Sequence, residues 1–213
     1  MRKFDWTKLT KGRGDSGETT SLFGIKIKKS DPSLRALNAL ENAHVGYGKM
    51  LANLKLAVGD SNIVLLDLDH WFLDLGAYLS CRSASERKKL DSMKLYKRSN
   101  LELLGDIEKA LLVLGEHANE LGIPGDWVCY GEVGLATHTS VIGFAIFEFT
   151  SLIRTLETEF FTLVHTNELG LMDTEESVQE LGAILNRLSK LFYLYGRIFV
   201  FEGRNNFEQN ENT

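Results

Sequence analysis

The 213 residues carry 24 Lys+Arg against 29 Asp+Glu, a formal charge of −5, and their 44% hydrophobic content suits one compact globular domain rather than a disordered chain. Two prolines argue against a turn-rich sandwich or barrel and favour long helices; Cys81 and Cys129 form no metal-type or redox-type pair, which predicts free thiols in a reducing compartment. The opening MRKFDWTKLTKG lacks the apolar core of a signal peptide, and no window of about eighteen uncharged apolar residues occurs, so a cytoplasmic protein without a membrane partner is expected.

Charge is concentrated at the front. Residues 1–29 hold Arg2, Lys3, Lys8, Lys11, Arg13, Lys26, Lys28 and Lys29 against Asp5, Asp15 and Glu18, so this arm carries +5 and the rest −10. Gly12, Gly14, Gly17 and Gly24 lie in the same stretch, with Thr19, Thr20 and Ser21 in a row. Glycines let backbone N–H groups turn toward an anion, and hydroxyls with a lysine complete a phosphate cradle. The Gly-Lys-Ser/Thr ending of a Walker loop is missing. On composition alone a solvated basic tail is the commoner explanation. Phe4, Trp6, Leu22 and Phe23 argue instead that the arm docks.

From Ser33 the hydrophobic period becomes helical. A first helix is predicted over 33–56, entered through Asp31-Pro32, with Leu34, Leu37, Leu40, Val45, Leu51, Leu54 and Leu56 as its stripe. A second covers 62–80, and the polar, basic stretch 81–98 reads as an exposed connection. A third covers 101–121 and stops at Gly122 and Pro124, before a loop with Trp127, Cys129, Tyr130 and Gly131. The fourth runs over 139–166 on Ala145, Phe149, Leu152, Leu156, Phe160 and Leu163. The fifth runs over 174–202 on Leu181, Leu185, Leu188, Phe192, Tyr195 and Phe199. The expected fold is therefore all-α, an antiparallel five-helix bundle. It divides into an arm (1–32), the bundle (33–202) and a loose polar tail (203–213).

Polar residues on these helices invite simple readings. Asp67, Asp69, His70 and Asp74 look like metal ligands, but no Glu-x-x-His pair recurs on two helices, so no resident protein-ligated metal is expected. His44, His117, His138 and His165 lack partners at ligand spacing. Arg154 and Glu157, three apart, predict an intrahelical ion pair, and Asn186 a helix-packing amide.

Taken in order, the motifs resemble the PduO-type ATP:cob(I)alamin adenosyltransferases over nearly the whole chain. Arg13-Gly14-Asp15-Ser16-Gly17-Glu18-Thr19-Thr20-Ser21-Leu22-Phe23-Gly24 is similar to that family's Thr-Gly-Asp-x-Gly phosphate loop with its hydroxyls and Phe-x-Gly. Lys29-Ser30-Asp31-Pro32 matches its Lys-Asp-Asp-Pro, and Glu41-Asn42-Ala43-His44 loosely matches its Asp-Glu-Leu-Asn. Phe72-Leu73-Asp74-Leu75-Gly76-Ala77 resembles Leu-Phe-Asp-Leu-Gly-Ala, and Trp127 to Glu132 its Phe-Ile-Leu-Pro-Gly-Gly loop. Arg154-Thr155-Leu156-Glu157-Thr158 aligns with Arg-Arg-Ala-Glu-Arg, and Leu185-Asn186-Arg187-Leu188-Ser189 agrees outright.

The resemblance implies transfer of the 5′-deoxyadenosyl group of ATP to the cobalt of a reduced corrinoid, giving adenosylcobalamin and triphosphate with Mg2+ assisting. It implies a homotrimer with ATP at subunit interfaces. Corrinoid-reducing or adenosylcobalamin-dependent enzymes are the implied partners, and nucleic acid is not. Lys11, Gly12, Arg13, Gly14, Asp15, Gly17, Thr19, Thr20 and Lys29 are the implied triphosphate residues. Arg154, Glu157 and Asn186 hold the nucleotide, with Arg154 and Glu157 at the chemistry, and Trp127 crowds the lower face of cobalamin. Departures accompany it: Thr150, Thr155 and Thr158 stand where the family has arginines, and Lys190 where it has Asp. They raise a rival expectation, a non-catalytic ATP- or corrinoid-binding homologue.

Overall fold

The computed structural model describes residues 16–58, 68–92, 99–123, 138–166 and 175–211. They form strands β1 (Glu18–Thr20) and β2 (Lys26–Lys28), then helices α1 (Pro32–Val58), α2 (Asp69–Leu79), α3 (Ala84–Ser92), α4 (Asn100–Glu120), α5 (His138–His165) and α6 (Glu175–Glu211). The expected all-α bundle is present, preceded by a small antiparallel hairpin that the sequence reading treated as loop. Helix α5 is the spine of the bundle, packing on α1 along one side and on α6 along the other. Helix α2 lies on α1, and α4 on α6.

Local chemistry sets the helix ends. Asp31 caps α1: its Oδ1 accepts from the Ser33 N–H at 3.0 Å and the Ser33 hydroxyl at 2.7 Å, with Pro32 in the first helical position. Helix α4 opens on a reciprocal box, the Ser99 Oγ accepting from the Glu102 N–H while Glu102 accepts from the Ser99 N–H. It closes at Gly122, φ +67°, where the Ile123 N–H donates to the Ala118 carbonyl and the Gly122 N–H to that of Asn119.

Three expectations need correction. The stretch 81–98 contains α3, because Ser83 starts a Ser-x-x-Glu pattern: its Oγ accepts from the Glu86 N–H, and Leu90 is fully buried beneath. Helix α6 continues to Glu211, past the expected end at residue 202, as no proline and no glycine after Gly203 interrupt it. On α1, Val45 and Leu56 are 68% and 87% exposed; Ala36, Leu40, Ala43, Tyr47, Met50 and Leu54 form the buried stripe instead. The early part of the predicted second helix, 62–67, and the loop around Trp127 lie outside the described residues.

Small residues let the long helices close up. An added Cβ on Gly143 falls 2.4 Å from the Val200 Cγ2 and 3.1 Å from the Gly196 carbonyl oxygen, and one on Gly196 falls 2.9 Å from the Phe147 ring. Backbone thus meets backbone between α5 and α6. That approach positions the polar edge described next.

Candidate functional site

The structure gathers the sequence-predicted site residues into two separate groups. The first is the hairpin. Gly17, φ +77°, opens it and its carbonyl accepts from the Lys29 N–H at 2.8 Å, which closes the base. The turn Ser21–Ile25 is held by the Ser21 Oγ, which accepts from the Ile25 N–H, and by Gly24 at φ +85°. Register pairs Glu18 with Lys28, Thr19 with Ile27 and Thr20 with Lys26. Strand alternation puts Thr19 on the face of buried Ile27, and Thr20 with Lys26 and Lys28 on the other. Lys29 is exposed at the exit of β2. Lys26, Lys28, Asp31 and Arg82 line a cleft of about 530 Å³ beside it. Lys11, Gly12, Arg13, Gly14, Asp15 and Trp127 fall outside the described residues.

Asp31 anchors the hairpin base to the bundle. Burial alone pushes its carboxyl up, but hydrogen bonds from Ser33 and from Arg82, whose Nη2 donates at 2.5 Å, outweigh burial and hold it below the usual carboxylate value. Neither this clasp nor Arg82 itself was picked out from the sequence. Near the middle of α6, burial and then the charge of Glu202 push the Tyr195 hydroxyl up to about 12.

The second group is an edge of the α5–α6 pair. Asn186 Nδ2 donates to Glu157 Oε1 at 3.3 Å. The predicted Arg154–Glu157 ion pair does not form: the Arg154 guanidinium instead lies 5.5 Å from the Tyr193 ring centroid, and that of Arg197 6.0 Å from it. Phe147 packs against the same ring at 5.6 Å. Tyr193 and Arg197 escaped the sequence reading, although their spacing of seven and eleven residues from Asn186 puts them on its helical stripe.

The departing threonines bond to their own helix. Thr150, 1% exposed, donates to the Ile146 carbonyl at 2.9 Å; Thr155 and Thr158 donate to Ser151 and Arg154 carbonyls, each at 3.0 Å. Each hydroxyl serves its own helix.

A third arrangement was not predicted. His44 finds Asp69, 25 residues away, with Nε2 3.0 Å from its Oδ1, and stacks on Phe72 at 5.1 Å. Both rings line a groove of about 380 Å³ between α1 and α2, with Glu41, Leu73 and Gly76. No three His, Cys, Asp or Glu side chains among the described residues converge as a metal site.

Neither strand packs on α5 or α6. Among the described residues the hairpin and the Asn186 edge are therefore not packed against each other.

A helical bundle with a hairpin at its entrance and a cationic, amide-bearing edge on its longest helix pair defines the class. Residues 9–199 match the sequence profile of the cobalamin adenosyltransferases, and the chain belongs to that family. A structure of an arginine-to-lysine variant of the PduO-type ATP:co(I)rrinoid adenosyltransferase of Lactobacillus reuteri, complexed with ATP, is similar at a TM-score of 0.62 and 16% identity. It covers 92% of this chain and 93% of that one, and shares the fold. No curated protein matches the chain. Among the described residues no helix is long and apolar enough to cross a membrane.

Proposed function

We propose that the protein is an ATP:corrinoid adenosyltransferase. The electron pair of a reduced cobalt forms a bond to C5′ of ATP, the C5′–O bond breaks, and triphosphate departs with that bonding pair. The observation that carries the reading is the Glu157–Asn186 hydrogen bond with Arg154 one turn away, at the positions the family resemblance gives to the nucleotide. Asn186 can donate and accept, and the carboxylate of Glu157 fixes its amide. Arg154 offers a planar set of donors where phosphate charge develops.

The hairpin supplies the other half of the site. Thr19, Thr20, Gly17 and Lys29, with Lys11 to Asp15, cradle the triphosphate. The separation of the hairpin from the Asn186 edge among the described residues supports a site closed between copies, and the resemblance makes that assembly a homotrimer. Trp127 crowds the lower face of the corrin. Magnesium, which is commonly held by substrate phosphates and one or two carboxylates, enters with ATP rather than in a protein cage.

A second reading, a non-catalytic binder of ATP or a corrinoid, draws on Thr155 and Thr158, which place hydroxyls bonded to their own helix where the family has cations. One assay separates the two. Chemically reduced cobalamin and ATP with the purified protein should yield adenosylcobalamin and triphosphate. A folded trimer that binds ATP but forms no product establishes the binder, and one that binds neither substrate refutes both readings.

A further inference from the structure

The threonines leave α5 with one arginine on its outer edge, yet that edge is not short of charge. Asn186, Lys190, Tyr193 and Arg197 follow one another at i, i+4, i+7 and i+11, a single stripe of α6 roughly 16 Å long. Two contacts fix its register on α5: Asn186 meets Glu157, and Tyr193 lies under Arg154. Lys190 falls between these contacts. It is exposed and has no ion-pair partner among the described residues. Arg154 and Arg197 approach the Tyr193 ring, so three cations line the stretch beyond the Glu157–Asn186 pair.

We infer that Lys190 is a phosphate-contacting residue of this chain, carrying on α6 the charge that Thr155 and Thr158 no longer supply on α5. A nucleotide whose adenosine is held at Glu157 and Asn186 directs its phosphates along the stripe toward Lys190, Arg154 and Arg197. A lysine is a mobile point charge that reaches an anion without a fixed angle, which suits a position between two anchored contacts. The resemblance puts an acidic residue at this position, so the exchange reverses the local charge where an anion is to be bound. This inference rests on the adenosyltransferase reading for its ligand but names a contact which that reading does not contain.

The test uses the full chain, with ATP and adenosine as probes, in titration calorimetry at one fixed salt concentration. Lys190→Ala should weaken ATP by about tenfold or more while adenosine affinity stays within twofold; Lys190→Arg should retain ATP binding, and Lys190→Asp should lose more than Lys190→Ala. Lys190 is exposed, so circular dichroism and sedimentation should match wild type. ATP affinity of Lys190→Ala within twofold of wild type overturns the inference, as does an equal loss for ATP and adenosine. In both cases a wild type that binds ATP leaves the adenosyltransferase reading standing. A wild type that binds no ATP removes both.

Discussion

The close approach of α5 and α6 is open to a decisive mutational test through Gly143. Its substitution by Ala places a methyl 2.4 Å from the Val200 Cγ2 and 3.1 Å from the Gly196 carbonyl oxygen. Neither neighbour can yield easily, since one is backbone and the other is a β-branched side chain with essentially one rotamer in a helix. Overpacking of this kind costs about 1–3 kcal/mol. Alanine also has the better helix propensity, by about 0.8–1.0 kcal/mol, which acts in the opposite direction. Gly105 on α4 provides the control, because a Cβ there meets nothing within 4 Å. Gly105→Ala receives the propensity gain without the clash, so the difference between the two variants isolates the packing cost. At about 2–4 °C per kcal/mol for a chain of this size, Gly143→Ala should melt roughly 2–12 °C below Gly105→Ala. The assay is thermal unfolding by circular dichroism at equal protein concentration, supported by denaturant midpoints. Gly143→Ala melting at or above Gly105→Ala would refute the helix contact, and with it the position of Tyr193 opposite Arg154.

Three further outcomes are expected. Lys29→Ala should weaken ATP far more than adenosine, because only ATP presents phosphates to the hairpin; calorimetry giving equal losses would remove Lys29 from the cradle. Asn186→Ala should lower nucleotide affinity while leaving the oligomer intact by sedimentation, the partly exposed bond to Glu157 contributing only about 0.5–1.5 kcal/mol to folding. The Asp31–Arg82 clasp should be acid-sensitive. Its depressed carboxyl contributes stability that is present above the ordinary aspartate value of about 4 and lost as pH falls through the lower folded value. Arg82→Ala should therefore cost about 1–3 kcal/mol at pH 7, and urea unfolding should show the gap to wild type shrinking below about pH 4. A gap independent of pH would count against an ionised Asp31 as the partner.

The periodicity of the sequence by itself determined the helices. All five expected spans have a counterpart, in α1, α2, α4, α5 and α6, because caps and breakers such as Asp31-Pro32 and Gly122 act within a few residues of the bonds they satisfy. The Ser-x-x-Glu start of α3 was equally local and could have been found; its basic surface obscured it. The motifs of the arm, of Arg154 to Thr158 and of Leu185 to Ser189 carried the family assignment, since residue type and order survive without coordinates. Tertiary structure decided which partners these residues take. Glu157 pairs with Asn186 rather than Arg154, His44 finds Asp69, and Val45 faces outward while Tyr47 faces in. Spacing along a helix states which side chains share a face, but only the packing angle and axial register between helices state what that face meets. Between α5 and α6 the approach at Gly143 and Gly196 sets both. Tyr193 and Arg197 consequently join the polar edge only once the fold is formed.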